Sequence, residues 1–182
     1  ELAIEDPKTD LPEIVRELGH MYLEQISNYN AKIKALDKDI RTLAKEDGEI
    51  SKLMTMPGIG PISAMAIGTF APPMENFKTG RDFAAWTGLV PKQRSTGGKQ
   101  RMGRITKMGQ RDIRRLLIIG AMSVVNWACR KGAPEGSWLA RMMARKPRML
   151  VATALANKMA RMVWAMITKN EEYRNPTITA AR

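Results

Sequence analysis

The feature that most constrains this sequence is a run of apolar residues spaced by three or four positions. The run consists of Leu11, Val15, Leu18, Tyr22, Ile26, Tyr29, Ile33, Leu36, Ile40 and Leu43. This spacing places the side chains on one side of an α-helix and is typical of a coiled-coil seam. Asp10 is a candidate N-cap, with Pro12 in the first turn and Glu13 three residues after the cap. We predict a coiled-coil dimerisation helix over residues 1–49, which pairs with a second copy or packs on its own chain.

Charge divides the chain into two contrasting parts. Residues 1–50 carry 7 basic and 12 acidic side chains, whereas residues 51–182 carry 23 basic and 6 acidic ones. So basic a region implies a polyanionic partner, which is either a nucleic acid or an acidic membrane surface. We favour DNA or RNA and expect no membrane contact, because no apolar run reaches transmembrane length.

Cysteine and histidine usage excludes some kinds of site. The chain has one cysteine, Cys129, and one histidine, His20. It therefore forms no internal disulfide and no metal site built from several histidines and cysteines. We expect Cys129 to lie in the core and the protein to work in a reducing cytoplasm. No metal ligand is assigned within this chain.

The stretch LMTMPGIGPISAMAIGTF, residues 53–70, is typical of two helices joined by a tight turn. Its first proline ends the first helix, because the residue before a proline avoids the α conformation. Gly58 and Gly60 permit positive φ angles, and Pro61 suits the first position of the second helix. We predict a helix-hairpin-helix at 52–70 whose glycines and free N–H groups bind phosphate. The alternative is an ordinary turn within a helical bundle.

The remaining apolar pattern is helical throughout. Since no stretch alternates with a period of two over the length of a strand, we predict an all-α chain. A compact helical domain at 50–170 would follow the coiled-coil helix, with a tail at 171–182. Its further helices are expected at Arg81–Trp86, Gln110–Arg130, Ser137–Arg145 and Arg148–Lys169. The last is apolar on nearly all sides and should be the central buried helix.

The loop at 88–110 gathers positive charge around small residues. Between Lys92 and Arg115 there are nine lysines or arginines and one acid. The sequence has no P-loop here, which argues against nucleotide hydrolysis. It has no nearby histidine base for a Ser-His-Asp hydrolase and no carboxylate cluster for two-metal nuclease chemistry within this chain. The hydroxyls of Ser95 and Thr96 remain. Either one attacks a phosphodiester, or both only hydrogen-bond phosphates.

The neighbours of these hydroxyls fit contact with a nucleic-acid backbone. Gly97 and Gly98 would let the loop lie flat against a strand, and Arg94 adds a cation beside Ser95. Arginine and lysine side chains stabilise the negative charge that gathers on a phosphate under attack.

Three stretches, in this order and spacing, resemble the C-terminal domain of a family of bacterial insertion-sequence transposases that includes the pilin-gene invertase. They are MPGIGPISA, FAAWTGLVPKQRSTGGKQRMGRITKMG and RRLLIIGA. The resemblance is strong over 53–130 and looser in the flanking helices. It implies that Ser95 becomes covalently attached to DNA, with Thr96 as the alternative because it directly precedes Gly97. It also carries over a basic surround of Lys99, Arg101, Arg104, Lys107, Arg111, Arg114 and Arg115.

The resemblance also implies partners that this chain does not supply. A RuvC-like domain upstream would hold Mg²⁺ on acidic residues, a noncoding bridge RNA would pair with donor and target DNA, and the coiled coil would join two or four protomers. We therefore expect part of a DNA transposase or site-specific recombinase that is inactive alone. Two alternatives are a non-catalytic helix-hairpin-helix module that binds DNA or RNA, and a dimerisation scaffold.

Overall fold

The computed structural model describes residues 2–6, 9–93 and 102–174. Its α-helices are α1 (Leu2–Glu5), α2 (Glu13–Glu46), α3 (Gly48–Leu53), α4 (Pro61–Phe70), α5 (Gly80–Trp86), α6 (Arg111–Lys131), α7 (Trp138–Met143) and α8 (Arg148–Lys169). Two short strands, β1 (Pro91–Gln93) and β2 (Met102–Ile105), form one antiparallel pair. The predicted all-α class is confirmed, although the apolar pattern did not predict this small sheet, whose strands are too short to show alternation.

The chain divides into two compact units, Glu1–Leu43 and Ala44–Arg182. The border falls inside α2, close to its C-terminal end. The predicted roles of these parts, a coiled-coil helix and a transposase domain with a tail, stay predictions. Of the predicted tail, residues 175–182 lie outside the described part of the chain.

The first unit is built on α2. The carbonyl of Pro12 accepts the N–H groups of Val15 and Arg16 at 2.9 and 3.2 Å, so the first turn forms at Pro12. The predicted N-cap, Asp10, therefore lies ahead of the helix rather than at its first turn. Ile4 of α1 packs on α2 at Gly19, where a β-carbon would stand 2.6 Å from the Ile4 Cδ1 atom.

The predicted seam of α2 is open to solvent. Its large apolar side chains Val15, Leu18, Tyr22, Ile26, Tyr29, Ile33, Leu36 and Leu43 are between 43% and 61% exposed. Apolar area left in water costs roughly 25 cal/mol per Å², so a continuous stripe of this kind favours association.

The second unit has α8 at its centre. The helix buries Val151, Leu155, Met159 and Val163, which meet the α6 residues Ile113, Leu117, Ala121 and Val125 in one core. The predicted central buried helix is thus confirmed with the predicted bounds. By length and mean hydropathy α8 is also the one described helix that would be able to cross a membrane, but its packing is that of a core helix.

Cys129 is exposed, so the prediction that it lies in the core is wrong. The buried residues of α6 end with Val125 and Ala128, and the next position is rotated by about 100° around the helix axis. That rotation carries the thiol away from the core.

Candidate nucleic-acid interface

The predicted basic loop is the connection between α5 and α6, and its two ends pair as strands. Pro91 lies opposite Ile105 and Gln93 opposite Met102, so β2 carries one extra residue and bulges. We call the described residues Trp86–Gln93 and Met102–Gln110 the stem. The segment 94–101 joins its two halves and lies outside the described residues. It contains the predicted Arg94, Ser95, Thr96, Gly97, Gly98, Lys99 and Arg101.

Backbone hydrogen bonds continue the pairing from the strands to the ends of α5 and α6. Thr106 N–H donates to Val90 O at 2.9 Å, Lys107 N–H to Gly88 O at 3.1 Å, and Gln110 N–H to Trp86 O at 3.0 Å. The last of these bonds brings the N-cap of α6 to the final residue of α5. The stem is therefore fixed at its base by both helices.

Two glycines make this base possible. Gly109 has a φ of +117°, and a β-carbon there would lie 1.9 Å from Trp86 O. Gly88 has a φ of +72°, and its β-carbon would lie 2.4 Å from Met108 O. No side chain fits at such distances, so both positions require glycine. Lys107 also has a positive φ, +56°, which is uncommon for a residue with a side chain.

A polar side chain of the core helix α8 forms a hydrogen bond to the backbone of the stem. Asn157 of α8 donates its Nδ2 hydrogen to Leu89 O at 3.1 Å. The Leu89 side chain itself is buried in the core. Sequence reasoning missed this contact, although the only asparagine within α8 was a usable signal.

Arg114, one of the predicted nucleic-acid ligands, has a structural contact. Its Nη1 donates to Thr87 O at 2.9 Å, and Thr87 is the buried C-cap of α5. A cation at a helix C-terminus is favourable because the last carbonyls carry partial negative charge. Arg114 thus ties α5 to α6 and supports the stem.

The other described cations of the predicted surround point to solvent. Arg104 and Lys107 on the stem are exposed, as are Arg111 and Arg115 in the first turns of α6. In the described part of the chain the ion pairs are Arg41 with Asp37 and Arg174 with Glu171. None of the four is therefore neutralised by a described carboxylate, and an open basic surface surrounds the stem.

The predicted turn between two helices is present, with a correction to its first helix. The first helix, α3, begins after Asp47, whose Oδ1 accepts the N–H groups of Glu49 and Ile50 at 2.9 and 3.0 Å. It ends at Leu53, three residues before the predicted end at Met56. Successive i→i+3 bonds from 51 to 56 tighten the chain into turns before the proline is reached.

The two predicted glycine ligands of this turn stand in different surroundings. Gly58 has a φ of +90°, and a β-carbon there would meet Gly120 O at 2.8 Å. Its glycine character is thus required by packing on α6. Gly60 is the exposed N-cap of α4, no atom lies within 4 Å of its missing β-carbon, and Pro61 follows at the first helical position as predicted. The open approach to the α4 N-terminus is at Gly60.

No three histidine, cysteine, aspartate or glutamate side chains come together within residues 2–6, 9–93 and 102–174. The described residues therefore offer no cluster of three or more such ligands for a metal ion. No step proposed below runs through a metal held by this chain.

Proteins named as transposases are similar to this chain in sequence. Residues 50–134 match the model of the family described as the IS116/IS110/IS902 transposase family. A probable family 20 transposase of Pseudomonas aeruginosa is 42% identical over 164 residues, which are 90% of this chain and 48% of that protein. A putative transposase of Sinorhizobium fredii is 40% identical over 166 residues, 90% of this chain and 43% of that protein. The transposase for insertion sequence element IS1111A of Coxiella burnetii is 30% identical over 163 residues, covering 90% of this chain and 44% of that protein.

The chain spans slightly less than half the length of these relatives. The range that matches the family model runs from α3 through α6 and so includes the turn at Gly60 and the whole stem. The resemblance to insertion-sequence transposases is confirmed, whereas the relation to the pilin-gene invertase and the bridge RNA stay predictions. This chain is thus similar to transposases of insertion sequences, and its residues 50–134 match the model of the IS116/IS110/IS902 family.

Proposed function

We propose that this chain is the part of a DNA transposase that supplies a serine nucleophile, Ser95, to a phosphodiester of DNA. The observation that carries the proposal is the stem. Its base is fixed by backbone bonds to α5 and α6, and the eight residues 94–101 that it delimits contain both candidate hydroxyls. Catalytic residues gain from a rigid support, because positioning removes part of the entropy cost of reaction.

In the proposed step the Ser95 Oγ attacks phosphorus, and the bond to one sugar oxygen breaks. A phosphoserine ester and a sugar hydroxyl result, so the number of phosphoester bonds is conserved and no nucleotide triphosphate is consumed. The serine proton passes to a base and the departing oxygen takes up a proton. The only histidine, His20, lies on α2, so we assign the base to residues outside the described part of the chain. Thr96 is the alternative nucleophile.

Charge on the reacting phosphate would be stabilised by the open cations around the stem. Arg104, Lys107, Arg111 and Arg115 are exposed and have no described carboxylate partner. Charge-assisted hydrogen bonds from such groups are about twice as strong as neutral ones. Of the residues outside the described ranges, Arg94, Lys99 and Arg101 would add to this surround, and Gly97 and Gly98 would allow close approach.

The turn before α4 would hold a second phosphate without reading bases. The N–H groups at the start of a ten-residue helix point out of its N-terminus, and Gly60 leaves that end open. Such an arrangement favours anions through the helix dipole. We assign Gly60 to this contact directly and Gly58 to shaping the turn.

Assembly would proceed through the seam of α2. A second copy of this chain is the proposed occupant, because the seam repeats with coiled-coil spacing and its side chains are exposed. The resemblance to the insertion-sequence family adds three further parts to the proposal. A noncoding RNA guides the protein, a RuvC-like domain outside this chain binds Mg²⁺, and the protein acts in the bacterial cytoplasm.

The experiment is to incubate the full-length protein and its Ser95→Ala and Thr96→Ala variants with their DNA and guide RNA. Covalent protein–DNA adducts are then separated on a denaturing gel. We expect an adduct from the unaltered protein and from Thr96→Ala, and none from Ser95→Ala. An adduct at the unaltered level in Ser95→Ala would contradict the role of Ser95, and loss only in Thr96→Ala would transfer it.

A second candidate function is favoured by the open N-terminus of α4 at Gly60. A helix-hairpin-helix module would bind DNA or RNA through this turn and the basic stem without any chemistry. Both candidates predict binding that weakens with salt, because phosphate contacts release counterions. Only the transposase predicts an adduct, so the same gel separates them.

A further inference from the structure

A second group of cations lies on α7, on the turn that follows it and on α8, outside the predicted surround of the stem. Lys158 places its Nζ 5.0 Å from the centre of the Trp138 ring. Burial, followed by the charges of Arg161 and Arg141, lowers the pKa of Lys158. The contact between Lys158 and Trp138 joins the two helices, and Arg161 and Arg141 each follow one of these residues by three positions, so the three cations lie close together. Arg145 follows Arg141 by four residues, just after the end of α7. We call Arg141, Arg145, Lys158 and Arg161 the α7–α8 basic surface.

No carboxylate within the described ranges forms an ion pair with these cations. The two ion pairs found in the described ranges lie elsewhere in the chain, at Arg41 and at Arg174. Arg141 Nη1 donates to Gly136 O at 3.0 Å, and Arg145 Nε donates to Arg141 O at 3.2 Å. These bonds orient the guanidinium groups, whose remaining donors face solvent. Like charges held together repel each other, and a polyanion relieves that repulsion.

The α7–α8 basic surface begins beside the stem. Asn157, which holds Leu89 O at the base of the stem, directly precedes Lys158 on α8. Arg161 follows Asn157 by one helical turn, about 6 Å along the axis. There the backbone of Arg161 packs against Gly80 at the start of α5, where a β-carbon would lie 2.9 Å from Arg161 O. A strand held at the stem would therefore pass close to these cations.

We propose that the α7–α8 basic surface binds the sugar–phosphate backbone of the nucleic acid held at the stem, at phosphates other than the reacting one. The inference rests on the proposed function. The contact is independent of base sequence, because the exposed donors are the guanidinium groups of Arg141, Arg145 and Arg161, which pair with phosphate oxygens. Lys158 lies over the Trp138 ring. DNA and RNA both present this backbone chemistry, and the experiment uses both.

The test compares the full-length protein with Arg141→Gln/Arg145→Gln/Arg161→Gln. A matched control, Lys32→Gln/Lys34→Gln/Lys38→Gln, removes three exposed charges from α2. Binding to duplex DNA and to single-stranded RNA is measured between 50 and 200 mM salt. Each lost phosphate contact reduces the slope of log K against log salt by about 0.9 for a duplex and about 0.7 for a single strand.

We expect the loss of three contacts to reduce the duplex slope of the α7–α8 variant by about 2.7. Between 50 and 200 mM salt its affinity for the duplex should therefore fall about 40-fold less than that of the unaltered protein. The control should keep the unaltered slope. A reduced slope with only one of the two nucleic acids supports the proposal and identifies which one is bound. Equal slopes for the α7–α8 variant and the control with both ligands would overturn it.

A second measurement uses the unaltered protein and so does not depend on the folding of a variant. Lysine acylation followed by mass spectrometry reports the accessibility of Lys158, with Lys38 of α2 as the control. We expect bound nucleic acid to slow acylation of Lys158 several-fold and to leave Lys38 unchanged. Equal rates at Lys158 with and without nucleic acid would contradict the inference.

These results separate the inference from the proposed function. If the α7–α8 variant binds like the control and still forms the Ser95 adduct, the inference alone fails. If the unaltered protein binds nucleic acid with a steep salt dependence but forms no adduct, the proposed nucleophile fails while the basic surface is judged by its own slope. Absence of any salt-dependent binding would overturn both.

Discussion

Gly109 and Trp86 meet backbone to backbone, and a β-carbon on Gly109 would stand 1.9 Å from the Trp86 carbonyl oxygen. This close approach lets Gln110 N–H reach the same oxygen at 3.0 Å. It joins the end of α5 to the start of α6 and closes the base of the stem. The base of the stem therefore depends on a contact that no other residue type permits.

Replacement of Gly109 by alanine tests this closure. The variant combines a positive φ with a backbone clash, and we expect the free energy of unfolding to fall by about 2–4 kcal/mol. Gly132→Ala is the matched control, since Gly132 also has a positive φ, +86°, but no atom lies within 4 Å of its missing β-carbon. Because only its backbone conformation opposes a side chain, Gly132→Ala should cost less than Gly109→Ala, about 1–3 kcal/mol. Urea denaturation measures both values, and equal losses would contradict the close approach.

Arg114 and Arg115 are adjacent in sequence but should have different effects. Arg114→Gln removes the bond to Thr87 O, and we expect a loss of about 1–3 kcal/mol in the free energy of unfolding. Arg115 is exposed, so Arg115→Gln should leave stability nearly unchanged and weaken DNA binding at low salt. Denaturation curves and binding isotherms of the two variants check the division. A stability loss in Arg115→Gln equal to that in Arg114→Gln would contradict it.

Much of this architecture follows from local sequence chemistry. Pro61 and Gly60 predict the start of α4, and the apolar positions of Arg148–Lys169 predict the central helix with its observed bounds. The strands were not predicted, because β1 and β2 have three and four residues and are held mainly by the helices at their base. A two-residue period cannot show itself over that length.

The roles of individual site residues were harder to predict. Arg114 looked like the other cations of its helix, and only the fold brings Thr87 O to it. Gly58 carried a turn signal, yet the contact that requires it comes from Gly120, far along the chain. Local pattern thus predicts backbone conformation, whereas partners distant in sequence decide which residues remain free for a ligand.

The seam of α2 is tested by a pair of charge insertions. Leu36 lies on the seam and is 61% exposed, while the neighbouring Ala35 is exposed but off the seam. Leu36→Lys should shift the protein towards monomer, because it places a charge in the apolar contact between copies. Ala35→Lys should leave the oligomer intact. Sedimentation velocity measures both, and an unchanged oligomer in Leu36→Lys would contradict pairing through the seam.

Lys158 should also give the protein a measurable alkaline pH dependence. Because the pKa of Lys158 is lower in the folded chain than in the unfolded chain, the unfolded chain binds more protons between the two values. The free energy of unfolding therefore rises with pH across that window. Arg161→Gln should raise the pKa of Lys158, whereas Arg115→Gln should not. NMR titration of labelled lysine measures this, and a Lys158 pKa that Arg161→Gln leaves unchanged would contradict the convergence of the cations.

The most direct test of the central claim is to identify the atom that joins protein to DNA. The trapped adduct of the full-length protein is digested with nuclease and trypsin, and the nucleotide-bearing peptide is sequenced by mass spectrometry. The cleavage sites at Arg94 and Lys99 release residues 95–99 as one short peptide. The account predicts that the added phosphate is on the Ser95 oxygen. A phosphate on any residue outside the 94–101 segment, or no covalent nucleotide in an active preparation, would contradict it.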